Sequence, residues 1–230
     1  MVSVVPSGSR LTAFSAATVA ALMLGTAGCT DLDEASAAGI SRDDLVSEMS
    51  TQLAKVTGLT YTATYQLTGG GRATVTQAQK PTRTAYAYPG GRLIETAIGT
   101  IRCTGGTALT CTETDPTPAT ALPLAGSTLV TPEAALAMLN TAALDPEVVT
   151  NQHDTTIAGR HATCLDLSGV DGTPTSEFSL CVTNEGALGS FTATIAGTRL
   201  EQALTSYAEK AAPGTFALPA SARLTDKRTK

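Results

Sequence analysis

The 230-residue sequence contains no tryptophan, four phenylalanines and five tyrosines, so aromatic side chains make up only 4% of it. A core built from such a chain is light, filled by aliphatic side chains and threonine methyl groups. Charge is sparse too, at 15%, and positive charge is the scarcer sign: 15 Lys and Arg stand against 20 Asp and Glu, for a net charge of -5. This argues against nucleic acid as a partner, because a surface that binds phosphate has to be basic. The one basic cluster, Lys227-Arg228-Thr229-Lys230, lies where a solvated chain end is its ordinary role. No stretch reaches the roughly 20 apolar residues of a spanning helix; Leu11 to Leu24 falls short of it. Catalytic signatures are missing: there is no Gly-x-Ser-x-Gly elbow, His-Glu-x-x-His helix, phosphate loop or dinucleotide fingerprint. The two histidines, His153 and His161, combine with Asp154, Cys164 or Asp166 in no compact zinc-ligand spacing. The carboxylate pairs Asp31/Asp33 and Asp43/Asp44 are explained by a linker and a helix start. No enzyme, metal site or cofactor is therefore expected.

The first 28 residues read as a leader: a polar start with one cation, Arg10, then the apolar run, then small residues ahead of Cys29. Leu24-Gly-Thr-Ala-Gly-Cys29 resembles the lipobox of bacterial lipoproteins, with Thr26 where an aliphatic residue is usual. The resemblance implies a diacylglyceryl thioether on Cys29, cleavage after Gly28, and acyl chains such as palmitate. It places a mature protein on the extracytoplasmic side of the cell membrane, held by its first residue. An uncleaved signal anchor is the competing reading, disfavoured because the run is short and no stop-transfer pattern follows. Residues 29–40 form an acidic tether with Asp31, Asp33 and Glu34, whose dozen residues reach on the order of 40 Å when extended.

With Cys29 set aside for lipid, Cys103, Cys111, Cys164 and Cys181 remain. An even number in an exported chain favours disulfides over buried free thiols. Of the three possible connectivities, sequence distance favours Cys103 with Cys111 and Cys164 with Cys181. The second pairing has an internal check. Its symmetry centre falls between Gly172 and Thr173, within the turn sequence Asp171-Gly-Thr-Pro174, and it sets Leu165 opposite Leu180, Leu167 opposite Phe178 and Thr163 opposite Val182.

Residues 41–220 read as one domain of ordinary size. Ser41 opens an amphipathic helix with Leu45, Met49, Leu53 and Val56 on one face, and Gly58 closes it. Tyr61 to Leu67 alternates as a strand, Gly69-Gly70-Gly71 turns, and Arg72 to Gln79 returns. Strands follow through Tyr86 and Tyr88, Leu93 to Ile98, Ile101 to Cys103 and Ala108 to Thr112. Asp115 to Pro123 is a loop, Thr131-Pro132 starts a helix that ends near Asn140, and Asp145 to Val149 adds a short helical turn. Beyond the Arg160 to Val182 hairpin, Phe191, Ala193 and Ile195 share a strand face. Residues 199–211 fit helix and strand alike, Phe216 to Ala220 is extended, and residues 221–230 form a polar tail.

This order, ending in Phe216-x-Leu-Pro219, resembles the LolA/LppX-like envelope lipoprotein carriers. The segments Ala158-Gly-Arg-His-Ala-Thr-Cys164 and Cys181-Val-Thr-Asn-Glu-Gly186 resemble actinobacterial envelope lipoproteins of that shape. The resemblance implies an α+β fold in which a curved antiparallel sheet, a half-barrel, wraps around two or three helices. It also implies an apolar cavity for a lipid, glycolipid or other amphiphile. Tyr61, Tyr65, Phe178, Leu180, Val182, Phe191 and Ile195 are the expected lining. The alternative is a regulatory or structural lipoprotein whose core is filled and which binds protein partners. Replacing Cys29 by Ala is expected to move the protein from the membrane to the soluble fraction or to leave its leader uncleaved. Membrane retention with normal processing, read by fractionation and mass, would refute lipidation.

Overall fold

The computed structural model describes residues 42–105 and 109–229; the leader, Cys29, the tether and the Ser41 cap lie outside them. Helix α1 (Arg42–Ala54) runs into a 3-10 turn (Lys55–Gly58). Val46, Met49, Leu53 and Val56 are buried, spaced by three or four residues as one face of a helix requires. Six strands follow: β1 (Tyr61–Leu67), β2 (Arg72–Gln79), β3 (Thr82–Tyr88), β4 (Gly91–Thr96), β5 (Gly99–Thr104) and β6 (Thr110–Thr114). The β1–β2 turn needs glycine, since Gly69 and Gly70 have φ of 77° and 84°.

Helix α2 (Pro132–Ala142) starts as its sequence dictates: Thr131 accepts a hydrogen bond from the Ala134 N–H and Pro132 occupies the first turn. The rest is strand again: β7 (Val149–Ile157), β8 (Arg160–Ser168), β9 (Glu177–Thr183), β10 (Leu188–Ile195), β11 (Thr198–Ala208) and β12 (Arg223–Asp226). All twelve strands lie in one sheet, ordered β12-β6-β5-β4-β3-β2-β1-β11-β10-β9-β8-β7. Neighbours are antiparallel except β12, which runs parallel to β6.

The expected half-barrel wrapped around helices is not what forms. Among the described residues the fold is a large mixed sheet that does not close on itself, with two short helices of 13 and 11 residues. Residues 198–208, with helical and strand spacing both available, take the central strand position between β1 and β10 and remove a third helix. Twelve strands about 4.8 Å apart span roughly 50 Å, whereas two helices of about 10 Å diameter cover roughly 20 Å.

The core accordingly divides in two. One cluster joins Val46, Met49 and Leu53 of α1 and Ala135 and Leu139 of α2 to Leu165, Leu180, Phe191 and Leu200 of the sheet. The other sets Tyr61, Tyr65, Tyr86 and Leu93 of β1, β3 and β4 against Ala119, Leu124 and Leu129 of the connection between β6 and α2. Half of the sheet is thus covered by proline-containing loop, which carries no periodic signal.

Three further expectations change. Asp145 to Val149 is not helical, and Val149 opens β7. The segment from Phe216 to Ala220 is not strand: Phe216 and Ala220 lie in turns and Ala217 in a bend, with Leu218 and Pro219 irregular. The tail is held: Arg223–Asp226 pairs with residues 110–113, and Phe216 lies under the Arg83 guanidinium, 4.2 Å from the ring centroid.

Polar clamps reinforce the light core. The Gln202 side-chain amide donates to the Val130 carbonyl at 2.9 Å, and its oxygen accepts from the Val130 N–H at 2.8 Å. Gln77 donates to the carbonyls of Val56, Thr57 and Leu59 where the 3-10 turn ends. Replacing Gln202 by Met keeps the volume but strands two buried backbone groups, for an expected loss of about 2–5 kcal/mol. Urea denaturation measures it, and a loss below about 1 kcal/mol would mean that the clamp is dispensable.

Candidate functional site

The seven residues expected to line a ligand cavity do not share one. Tyr61 and Tyr65 belong to the loop-covered cluster. Phe178, Leu180, Val182 and Phe191 belong to the helix-covered cluster, with Ile195 packed at its margin. Six of the seven are buried to 3% exposure or less, stacked on other side chains. Tyr61 stacks on Tyr207 with centroids 5.6 Å apart, Phe178 on Phe191 at 6.1 Å, and the Tyr65 hydroxyl donates to the Leu188 carbonyl at 2.9 Å. A hollow of about 290 Å³ lies between α1 and β7–β9, where Leu45, Met49, Leu165 and Val182 are joined by the polar Glu48, Gln52, Gln152, Thr163 and Asn184, so Val182 alone of the seven reaches it.

Both expected disulfides are present, Cys103–Cys111 and Cys164–Cys181, each joining residues directly opposite in adjacent strands. The hairpin register is the one its turn sequence implies, with Leu165 facing Leu180 and Leu167 facing Phe178. Beside the second bridge the histidines engage polar neighbours. His153 Nδ1 lies 3.6 Å from Asp166, which also accepts from Ser179 at 2.6 Å, and His161 meets Asn184 at 3.3 Å. Among the described residues no group of three or more His, Cys, Asp or Glu is placed to hold a metal ion.

The strongest electrostatic feature is one that no sequence motif announces. Glu133, in the first turn of α2, points into the loop-covered cluster, and the Tyr86 hydroxyl of β3 donates to its Oε2 at 2.9 Å. Glu95 of β4 lies on the strand face that carries Leu93 and is close enough to feel the charge on Glu133. Burial, then the neighbouring Glu133 charge, pushes the Glu95 carboxyl up to about 7, against the opposing pull of the Ala119 N–H, Tyr86 and Arg102. Burial also raises Glu133, opposed by its own backbone N–H, Tyr86 and Thr131. Tyr86 is raised well above its usual range, chiefly by burial, and stays a neutral donor.

One Glu95 oxygen is buried without a hydrogen-bond partner. The same residue borders a shallow hollow of about 300 Å³ with Thr82, Thr84, Thr100, Pro116 and Thr117. The arrangement can hold and release a proton near neutrality. Glu95 and Glu133 stand far apart in sequence, and Glu133 also suits the positive end of a helix dipole. The only available signal was Glu95 alternating onto an otherwise apolar strand face.

No protein-family model matches this chain, and no curated protein matches it. Solved structures do resemble it. An uncharacterized conserved protein from Thermus thermophilus aligns over 79% of this chain and 98% of its own, at 10% identity and a TM-score of 0.49. PNGF-II aligns over 74% of this chain at 11% identity and a TM-score of 0.37, and only 32% of PNGF-II is covered. Likeness at this level transfers no ligand, residue role or activity, and neither structure points to the lipoprotein carriers.

The carboxyl pair sets a pH dependence. In the unfolded chain Glu95 titrates near its ordinary 4.5 and in the folded chain near about 7, so the folded state binds the proton more tightly. Its contribution to stability is full below about pH 4.5 and is lost as pH rises through about 7. Replacing Glu95 by Gln is therefore expected to raise the melting temperature relative to the parent increasingly from pH 4.5 to pH 7.5. A pH-independent difference between the two melting curves would contradict this account.

Proposed function

We propose that the chain is a membrane-anchored extracytoplasmic lipoprotein with a filled core, a regulatory or structural component of the cell envelope that binds protein partners through its surface. One observation carries this reading. The seven side chains suited to an acyl ligand are divided between two packed clusters, and six of them are exposed by 3% or less. The polar outer face agrees with it: Asn151, Asp166, Ser179 and Thr192 form a cross-strand row bordering an open groove of about 490 Å³. Two disulfides suit an oxidising compartment, and the lipobox-like sequence ending in Cys29 supplies the anchor.

Lipid carriage is the second reading, and the hollow under α1 favours it. At about 290 Å³ that hollow lies at the lower limit of small-molecule pockets. Native mass spectrometry of the full chain offered phospholipid and glycolipid separates the two. The expected result is an apo domain that takes up neither; a retained lipid in fixed stoichiometry would overturn the filled-core reading.

A further inference from the structure

The two edges of the sheet are built differently. At one edge β12 is four residues long, and it is followed by Arg228, whose guanidinium pairs with Asp226 and Glu113. A short, charged edge strand is a common protection against pairing with another chain. At the other edge β7 runs for nine residues and is mostly exposed. It has no proline or lysine and pairs with β8 without a bulge. Among the described residues no strand occupies its outer side.

The turn fixes which backbone groups are free. Ala158 and Gly159, with φ of 51° and 75°, make a two-residue turn, so Ile157 and Arg160 exchange hydrogen bonds across it. Alternation then directs the N–H and C=O groups of Thr150, Gln152, Asp154 and Thr156 away from β8. About His153 the strand is self-complementary: Thr150 and Thr156 match, and the Gln152 amide can donate to the Asp154 carboxylate. Folding it against a copy of itself, antiparallel about that residue, sets Thr150 opposite Thr156 and Gln152 opposite Asp154 of the second copy. Val149, 66% exposed, lies opposite Ile157 at each end of the seam, although the Ile157 side chain is half-buried against the chain's own core. No carboxylate faces another, and both strands use only their free backbone groups.

We propose that β7 is a homodimer seam, at which a second copy of this chain adds its own β7 antiparallel across a two-fold axis at His153. This deepens the surface-binding reading and rests on it, naming a second copy as the partner. A nine-residue strand pair is small beside the roughly 1,200–2,000 Å² of stable interfaces, so the dimer is weak in free solution. Two copies anchored on one membrane would meet at a much higher effective concentration.

Sedimentation equilibrium of the full chain over a wide concentration range tests the seam. A reversible monomer–dimer equilibrium is expected. Gln152→Lys faces Asp154 twice across the axis and should tighten it, whereas Gln152→Asp should weaken it, each by about twofold to thirtyfold. Gln152→Pro removes an outward N–H without touching the β7–β8 ladder and should give a monomer with an unchanged circular dichroism spectrum. A monomer at every concentration, charge variants that shift the affinity in the same direction, or a foreign protein bound at β7 in place of a second copy would each overturn the seam. A monomer that takes up no lipid leaves the surface-binding reading standing, whereas lipid uptake overturns that reading whatever the oligomeric state.

Discussion

The pairing of β1 with β11 holds the sheet together. Residues 62–67 of β1 meet residues 202–208 of β11, and among the described residues this ladder alone joins the β12-to-β1 run to the β11-to-β7 run. It links segments separated by most of the chain, so a long loop has to be closed before any of these hydrogen bonds form. Side chains reinforce the join from both sides. Tyr65 reaches across to the Leu188 carbonyl, and Gln202 grips Val130 just before α2 begins. The helix, the loop and both halves of the sheet therefore take their positions from one central pair of strands.

From that join the two halves are covered by different means. Apolar helix faces cover β8 to β11, while Leu124 and Leu129 from an irregular connection cover β1 to β4. In a chain without tryptophan, Tyr61, Tyr65 and Tyr86 are the largest side chains that fill the loop-covered half. Buried amides do part of that task, satisfying backbone groups that loops leave open. The Glu95, Tyr86 and Glu133 cluster lies where the α2 start meets the loop-covered half, so its titration acts on the packing of that helix end.

Alternation made β1 readable in the sequence, because Tyr61, Ala63, Tyr65 and Leu67 are buried while their neighbours are not. The Cys164–Cys181 hairpin was readable too, since a turn sequence and an even spacing agreed on one register. β7 was not, for a reason that belongs to its position. An edge strand exposed on both faces has no apolar alternation, and Thr-Asn-Gln-His-Asp-Thr-Thr gives none. β11 was ambiguous because Leu200 and Leu204 sit four apart, a spacing that serves either element. The carboxyl pair is a product of tertiary contact, and neither member has a local motif.

The order of strands also sets the order of assembly. A chain emerging N-terminus first can form β1 to β6, and close the Cys103–Cys111 bridge, from contacts between neighbours in sequence. The Cys164–Cys181 hairpin is equally local. The outer edge of β1 has no such partner until β11 has emerged, although Leu124 and Leu129 of the connection before α2 are already available to cover its Tyr61, Ala63, Tyr65 and Leu67 face. The nascent protein thus carries an open sheet edge, with the outward backbone groups of β1 unpaired, through much of its synthesis, and such an edge is a site for pairing with other chains. The two halves of the finished sheet are joined at its centre late, with only the edge strand β12 still to be added.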